Sequence, residues 1–164
     1  MSEASTGVFV DASILIYSED GADRAKQQAA LAWLTVLWRR GLGRTSTQVL
    51  NEFYLLATRK IQPPMPAGDA RAEVRRYALW QPWQTDHATV ESAWAVESRY
   101  GFDYWDALVI ASAQQQGCDY LVSEDLQHGQ QIDSVQVLDP FVVGPDVLEG
   151  DRPVPTSIAR VEPS

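Results

Sequence analysis

Short apolar runs alternate with longer segments of helical periodicity along the chain, and this alternation constrains the fold more than any other feature of the sequence. The first run is Val8-Phe9-Val10, whose β-branched and aromatic residues favour a buried strand. Three further strands are predicted at residues 44–47, 119–123 and 134–138. Because helical segments separate the strands, their connections are crossovers, which predicts an α/β domain with a central, mainly parallel sheet covered on both faces.

The helical segments carry start and stop signals. Gly41 and Gly101 end two of them, and Ser46 or Thr47 can cap the segment that contains Leu50. Helices are therefore predicted over residues 22–40, from 46 or 47 to the prolines near 63, and over 67–80, 86–100 and 103–116. Five of the nine prolines lie from position 140 onward, where helical periodicity is absent. This predicts one domain over residues 1–141 and an irregular C-terminal tail over residues 142–164.

The composition is that of a single domain that needs no disulfide or structural metal. With 164 residues and 45% hydrophobic content, the chain can bury a full core. Cys118 is the only cysteine, and with two histidines it cannot form a Cys/His zinc cage within this chain, so a reducing compartment is expected. The first six residues lack a positively charged signal region, and no uncharged apolar stretch reaches the roughly 18 residues of a membrane span. We therefore expect a cytoplasmic protein with no membrane association.

The net charge is −9, from thirteen Lys and Arg against twenty-two Asp and Glu. This excess of negative charge argues against sequence-blind binding of nucleic acid, which depends on neutralising phosphates with Lys and Arg. If the substrate is a nucleic acid, bound metal or a local group of basic residues must offset the repulsion. Three such groups occur, namely Arg39-Arg40 with Arg44, Arg59-Lys60, and Arg71 with Arg75-Arg76. A role in stabilising and solvating helix C-termini is the simpler alternative for them.

Four acidic residues occur at matching points of the predicted topology. Asp11 and Asp125 come at or just beyond the ends of two strands, whereas Glu52 and Asp106 lie in the first two turns of two helices. Since the carboxyl ends of parallel strands share one edge of a sheet, we expect the four side chains to converge there. Carboxylates that are held together repel one another, and a divalent cation is the usual relief. The arrangement therefore predicts a metal-dependent hydrolase.

Each of these residues also has an ordinary structural explanation. Asp11 can cap a helix, and Glu52 can be a surface residue beside an apolar stripe. Asp103 and Asp106 are spaced like a helix cap and its N3 partner, so Asp103 is assigned mainly to capping. Asp125 can be a turn residue after a strand. The prediction of a site depends on all four positions occurring together.

Four segments of the chain form an ordered set of motifs, namely VFVDASILIY at residues 8–17, STQVLNEF at 46–53, YWDALVIASA at 104–113 and LVSEDLQHG at 121–129. In this order they resemble the motifs of PIN-domain ribonucleases, most closely those of the VapC-like toxins of bacterial toxin–antitoxin pairs. The resemblance spans residues 7–141. It implies a three-layer α/β/α PIN-like domain and a Mg²⁺- or Mn²⁺-dependent endoribonuclease. It also implies an RNA substrate, a homodimer and a cognate antitoxin that occludes the site.

The resemblance places the family's catalytic, metal-binding carboxylates at Asp11, Glu52, Asp106 and Asp125. Ser13 and Ser123 fall where the family often has a small hydroxyl residue, which could orient a carboxylate or a phosphate. Asp103 and Glu124 add carboxylates beside the expected ones. The choice between Asp125 and Glu124 as the ligand stays open at this point.

The donor set also fits this chemistry without the resemblance, because hard oxygen ligands without His or Cys favour Mg²⁺ or Mn²⁺ over zinc. A bound ion can lower the pKa of a water molecule for in-line attack on a phosphodiester. A catalytically idle PIN-like scaffold that binds a protein partner is the alternative function. A surplus of tryptophan is compatible with it, since large exposed aromatics mark interfaces, although at least half of Trp33, Trp38, Trp80 and Trp83 are expected in the core. No local motif identifies which RNA is cleaved.

Overall fold

The computed structural model describes residues 7–149 of the chain, and a five-stranded sheet forms its centre. The strands are β1 (Gly7–Val10), β2 (Gly43–Arg44), β3 (Cys118–Val122), β4 (Gln131–Ile132) and β5 (Val135–Leu138). Their order across the sheet is β2-β1-β3-β5-β4. β1 pairs in parallel with β2 and β3, β3 pairs in parallel with β5, and β4 pairs antiparallel with β5. The prediction of a central, mainly parallel sheet is confirmed.

Six α-helices flank this sheet in the described part of the chain and complete a three-layer α/β/α architecture. They are α1 (Ala12–Glu19), α2 (Arg24–Arg40), α3 (Thr47–Arg59), α4 (Ala67–Tyr77), α5 (His87–Tyr100) and α6 (Tyr104–Gln115). Two short 3₁₀ helices lie at Ala78–Trp80 and Pro145–Leu148. Between residues 7 and 149, no helix is both long enough and apolar enough to cross a membrane.

Local signals in the sequence explain most of the helix boundaries. Ser46 caps α3 because its hydroxyl accepts a hydrogen bond from a backbone N–H of the first turn (3.2 Å), and Asp86 caps α5 in the same way (2.8 Å). Gly41 ends α2 with a φ of 67°, and Gly101 ends α5 with a φ of 77°. Glycine adopts this left-handed conformation without a steric penalty, so both predicted stops are confirmed.

Four elements differ from the sequence prediction. β2 ends at Arg44 and not at the predicted residue 47, because Ser46 already caps α3. The sequence does not reveal α1, because none of its residues is exposed and it therefore lacks the polar face that marks a surface helix. β4 has only two residues, which is too short for a recognisable strand pattern. α4 ends at Tyr77, before the predicted end at Trp80, because the chain there tightens into the first 3₁₀ helix.

The core between sheet and helices accounts for part of the tryptophan surplus. Every residue of β1 is buried, as are Trp33 and Trp80. Trp38 is half-buried and packs on Tyr77 and Trp80, with ring centroids 5.4 and 4.9 Å apart. Trp83 is half-buried as well. The expectation that at least half of the four tryptophans lie in the core is therefore confirmed.

The beginning of the predicted tail packs against α2. Trp33 of α2 donates a hydrogen bond from Nε1 to the carbonyl oxygen of Val143 (3.0 Å), and the 3₁₀ helix Pro145–Leu148 also contacts α2. These contacts attach residues 142–149 to the domain. The remainder of the predicted tail, residues 150–164, lies outside the described residues, as do residues 1–6.

Gly43 of β2 should not tolerate a side chain. A Cβ atom at this position would lie 2.3 to 2.5 Å from three atoms of the indole ring of Trp80, which is itself packed against Trp38 and Tyr77. We expect Gly43→Ala to lower the free energy of unfolding by about 1–3 kcal/mol, the usual cost of overpacking. Urea unfolding measures this change. Gly68→Ala is the control, because no atom lies within 4 Å of its Cβ position, and an equal loss in both variants would exclude the indole contact as the cause.

Candidate active site

The carboxylate of Asp11 lies at the C-terminal end of β1 and is only 8% exposed. Its Oδ1 accepts a hydrogen bond from the backbone N–H of Ala12 (2.8 Å), so Asp11 caps α1. Its Oδ2 accepts a hydrogen bond from the hydroxyl of Ser123 (3.0 Å), the first residue after β3. The two interpretations of Asp11, as a helix cap and as a site residue, are compatible because the two oxygens have different partners.

Burial raises the pKa of Asp11 to about 6, compared with an ordinary value of 3.8. The backbone N–H of Ala12 and the hydroxyl of Ser123 oppose this rise, whereas the negative charges of Asp125 and Glu52 add to it. Ionised Asp11 is therefore unfavourable in this environment. A bound cation would favour the ionised form and reverse the shift.

Ser123 links Asp11 to Asp125. Besides donating to Asp11, its Oγ accepts a hydrogen bond from the backbone N–H of Asp125 (3.2 Å). Ser123 is fully buried, whereas the Asp125 side chain is partly exposed to solvent. Partial burial and the charge of Glu124 raise the pKa of Asp125, and the charge of Lys26 opposes this rise. Ser123 thus orients the Asp11 carboxylate and the loop that carries Asp125.

Glu52 and Asp106 approach the same edge of the sheet from two helices. Glu52 lies in the second turn of α3, which follows β2, and Asp106 lies in the first turn of α6. Partial burial raises the pKa of Glu52, and the charges of Asp125 and Asp106 raise it further. Partial burial also raises the pKa of Asp106, with further contributions from Asp103 and Asp125. The charge of Asp125 thus acts on each of the other three predicted carboxylates, Asp11, Glu52 and Asp106.

Asp103 is the N-cap of α6, since its carboxylate accepts a hydrogen bond from the backbone N–H of Trp105 (2.8 Å). The capping role predicted for it is confirmed. Gln48 of α3 donates its side-chain amide to the carbonyl oxygen of Trp105 (3.4 Å). This contact ties the N-terminus of α6 to α3 one turn before Glu52. Trp105 itself is 63% exposed next to Asp106.

Glu124 belongs to a separate network around Lys26 of α2. Lys26 forms an ion pair with Glu124, and its Nζ lies 3.4 Å from the hydroxyl oxygen of Tyr17. The same Nζ lies 4.8 Å from the ring centroid of Tyr17 and 5.0 Å from that of Phe141, close enough for cation–π attraction. The two rings pack edge to face at 5.2 Å. Glu124 is thus committed to Lys26, whereas no ion pair of Asp125 occurs among residues 7–149.

Sequence reasoning missed the contribution of Lys26. Lys26 and Glu124 are 98 positions apart, so no local pattern joins them. The one available signal was that Lys26 is one of only two lysines in an acidic chain.

The four carboxylates suit a hard divalent cation, but they do not form a closed cage. Within the described range, no group of three or more Asp, Glu, His or Cys side chains is placed so that it could hold one ion. The expectation that all four bind the same ion directly therefore stays a prediction. Mg²⁺ keeps several water molecules and binds through one or two carboxylates, so it needs less convergence than a full cage. Ser13 adds a buried hydroxyl that has no hydrogen-bond partner between residues 7 and 149.

The fold and the site together define a class of protein. It is an α/β/α protein with a mainly parallel sheet, and its acidic site lies beyond the C-terminal ends of the strands, where such sheets bind ligands. More particularly, the chain belongs to the PIN domain family, whose model matches residues 8–131. All four candidate carboxylates lie within the matched range.

Among solved structures, the chain is similar to VapC20 of Mycobacterium tuberculosis, which is described as a sarcin-ricin loop cleaving toxin. The two sequences are 23% identical, and the TM-score is 0.55. The match covers 70% of this chain and 87% of that chain. Likeness at this level shows a shared fold. A comparison with curated proteins gave no match.

Proposed function

We propose that the protein is a Mg²⁺- or Mn²⁺-dependent endoribonuclease that acts as the toxin of a toxin–antitoxin pair. The observation that carries this proposal is that Asp125, Asp11, Glu52 and Asp106 come from four separate segments and that the charge of Asp125 raises the pKa of the other three. Membership of the PIN domain family supports nuclease chemistry. The fold shared with VapC20, which is itself described as a sarcin-ricin loop cleaving toxin, supports RNA as the substrate.

In this proposal the chain supplies ligands and orientation, and no side chain bonds covalently to the substrate. Asp11, Glu52, Asp106 and Asp125 would supply oxygen ligands to the ion, directly or through bound water. The hydroxyl of Ser123 fixes the Asp11 carboxylate. A bound divalent ion would supply acidity to a water molecule and positive charge for the scissile phosphate.

RNA cleavage with and without divalent ions tests the proposal. Purified protein treated with a chelator should lose cleavage of total RNA and regain it on addition of Mg²⁺ or Mn²⁺. Because water is the nucleophile and the 3′ oxygen leaves, the products should carry 5′ phosphates and 3′ hydroxyls. Cleavage that survives chelation, or products with 2′,3′-cyclic phosphates, would contradict the mechanism. A folded protein that binds no metal and cleaves no RNA would favour the idle scaffold.

The toxin role adds two protein partners to the proposal, a cognate antitoxin and a second copy of this chain. An acidic site can receive a basic side chain of an antitoxin, which would occupy the position of the cation. Co-expression with the product of the gene immediately upstream should yield a stable complex that does not cleave RNA. Removing the partner from that complex should restore cleavage.

The Lys26 network predicts which of two neighbouring carboxylates is required. Because Glu124 is already paired with Lys26, we expect Glu124→Gln to keep RNA cleavage within about tenfold of the unmodified protein. We expect Asp125→Asn to lose more than about 100-fold, since its charge acts on the other three carboxylates. Initial rates at saturating Mg²⁺ measure both. The opposite order would assign the ligand role to Glu124.

A further inference from the structure

An acidic protein that cleaves RNA needs local positive charge to hold its substrate, and the structure distinguishes the three groups of basic residues. β2 runs parallel to β1, so it begins at the edge of the sheet opposite to Asp11. α2 ends just before β2, which places Arg39 and Arg40 at that distant edge. Arg44 donates hydrogen bonds to the carbonyl oxygens of Gly41 and Gly43 (3.2 and 2.9 Å), so it too is used locally.

Arg59 and Arg76 can also be excluded as residues that hold RNA near the site. α3 begins at the site edge and runs away from it, which places Arg59 about 18 Å along the helix axis from Thr47. Arg76 forms an ion pair with Glu73 (2.9 Å) and lies over the ring of Trp38 (4.9 Å). Of the arginines in the three basic groups, Arg71 and Arg75 remain as candidates for binding RNA.

Arg71 and Arg75 line a groove between α3 and α4 with a volume of about 300 Å³. The lining of this α3–α4 groove consists of Leu50, Asn51, Tyr54, Arg71, Val74 and Arg75. Both arginines are exposed, and neither forms an ion pair within residues 7–149. The guanidinium carbon of Arg71 lies 5.9 Å from the ring centroid of half-buried Tyr54. The groove therefore combines two uncommitted cations, one aromatic ring and an apolar floor.

The α3–α4 groove and the candidate active site flank the same half of α3. The backbone N–H of Met65 donates a hydrogen bond to Ala57 (2.9 Å), so α4 starts near the C-terminal half of α3 and runs back toward its N-terminus. The groove is thus lined by the first two turns of α3, and Asn51 in its wall directly precedes Glu52. At about 100° per residue, Leu50 and Tyr54 project roughly 160° around the axis of α3 from Glu52, so the groove and Glu52 lie on opposite sides of this part of the helix.

We propose that the α3–α4 groove binds single-stranded RNA, whose strand then crosses the exposed face of α3 to reach the carboxylates, an inference that rests on the proposed function. Guanidinium groups bind phosphates through paired hydrogen bonds, and bases of single-stranded RNA stack on tyrosine rings and guanidinium planes. Arg71 and Arg75 hold the backbone and Tyr54 holds one base, while the carboxylates lie on the other side of α3. The positive charge of the groove attracts the phosphates of the strand, whereas the negative charge of the active site repels them unless a cation is bound there. This difference in charge orients the strand.

Binding of a labelled single-stranded RNA oligonucleotide tests the groove without cleavage. All variants carry Asp11→Asn, so the oligonucleotide stays intact, and affinity is measured by fluorescence anisotropy at several salt concentrations. Arg71→Gln with Arg75→Gln should weaken binding by about tenfold or more and reduce the salt slope by about 1.4, since each phosphate contact contributes about 0.7 for single strands. The control, Arg39→Gln with Arg40→Gln, removes the same charge from the distant edge. It should change affinity and salt slope much less.

Tyr54 provides a second measurement that does not depend on charge. Tyr54→Leu should weaken RNA binding by about fivefold or more through loss of stacking, whereas Tyr54→Phe should leave it nearly unchanged. Equal effects of the two arginine pairs, or no effect of the groove pair in a variant that unfolds normally in urea, would overturn the proposal and leave the groove to another partner. The nuclease proposal fails separately, through the chelation experiment, because that readout is cleavage and this one is binding.

Discussion

Replacing Asp11 by Asn should lower metal-dependent RNA cleavage by more than about 100-fold while the protein stays folded. Loss of a residue that only supports a metal ligand typically costs about 10- to 100-fold, and Asp11 is proposed as a ligand itself. Asn keeps an oxygen that can accept the hydrogen bond from Ala12 and cap α1. The variant therefore removes the negative charge at the site and leaves the local structure largely in place. Initial rates with Mg²⁺ measure the loss.

Two variants in α6 supply the matched comparison. Asp106→Asn should show a loss as large as that of Asp11→Asn, because the charge of Asp125 acts on both carboxylates. Asp103→Asn should stay within about threefold of the unmodified rate, because Asp103 caps α6 and Asn is as good a cap as Asp. Both changes convert Asp to Asn within the first turn of one helix or its cap. Equal losses at positions 103 and 106 would point to a general electrostatic effect, and a fully active Asp11→Asn variant would remove the basis of the proposed mechanism.

The sequence allowed us to predict at which edge of the sheet the four carboxylates lie, because strand ends and helix starts are local features. The apolar run before Asp11 and the capping residue Ser46 each position one element, and a parallel sheet then brings those elements to a common edge. Asp103 was assigned correctly for the same reason, since capping depends on neighbours two or three residues away.

The remaining features depend on contacts between distant parts of the chain. The hydroxyl of Ser123 meets Asp11 across 112 positions, and no local pattern specifies that hydrogen bond. The α3–α4 groove likewise depends on how closely Arg71 approaches Tyr54. α1 escaped prediction because none of its residues is exposed, so the alternation of apolar and polar faces that identifies a surface helix is absent. Packing on several sides removes the pattern that would have revealed the element.

Asp11→Asn should also make the metal-free protein more stable above about pH 6. Burial raises the pKa of Asp11 from 3.8 to about 6, so the protonated carboxyl contributes stability that is fully present below about pH 3.8 and is lost as the pH rises to about 6. Above that pH the ionised carboxylate costs up to about 3 kcal/mol, at 1.36 kcal/mol for each pKa unit. Asn carries no charge at any pH and avoids this cost.

Urea unfolding at several pH values, with a chelator present, measures the expected difference. The Asp11→Asn variant should exceed the unmodified protein by up to about 3 kcal/mol at pH 8, and the two should converge toward pH 4. Asp103→Asn is the control, and its stability relative to the unmodified protein should show no comparable gain at pH 8. Saturating Mg²⁺ should raise the stability of the unmodified protein by about 2.7 kcal/mol at 100 times its dissociation constant, and should raise that of Asp11→Asn less.

The result separates two explanations for the buried charge of Asp11. If the protein holds this carboxylate for a cation, the charge is a cost to the metal-free fold, and Asn relieves it. If the hydrogen bonds from Ala12 and Ser123 already compensate for burial, Asp11→Asn will be no more stable than the unmodified protein at pH 8, and Mg²⁺ will stabilise both alike. In that case Asp11 is a structural cap. A gain in stability together with a loss of cleavage is the combination expected of a residue that serves the reaction at the expense of the fold.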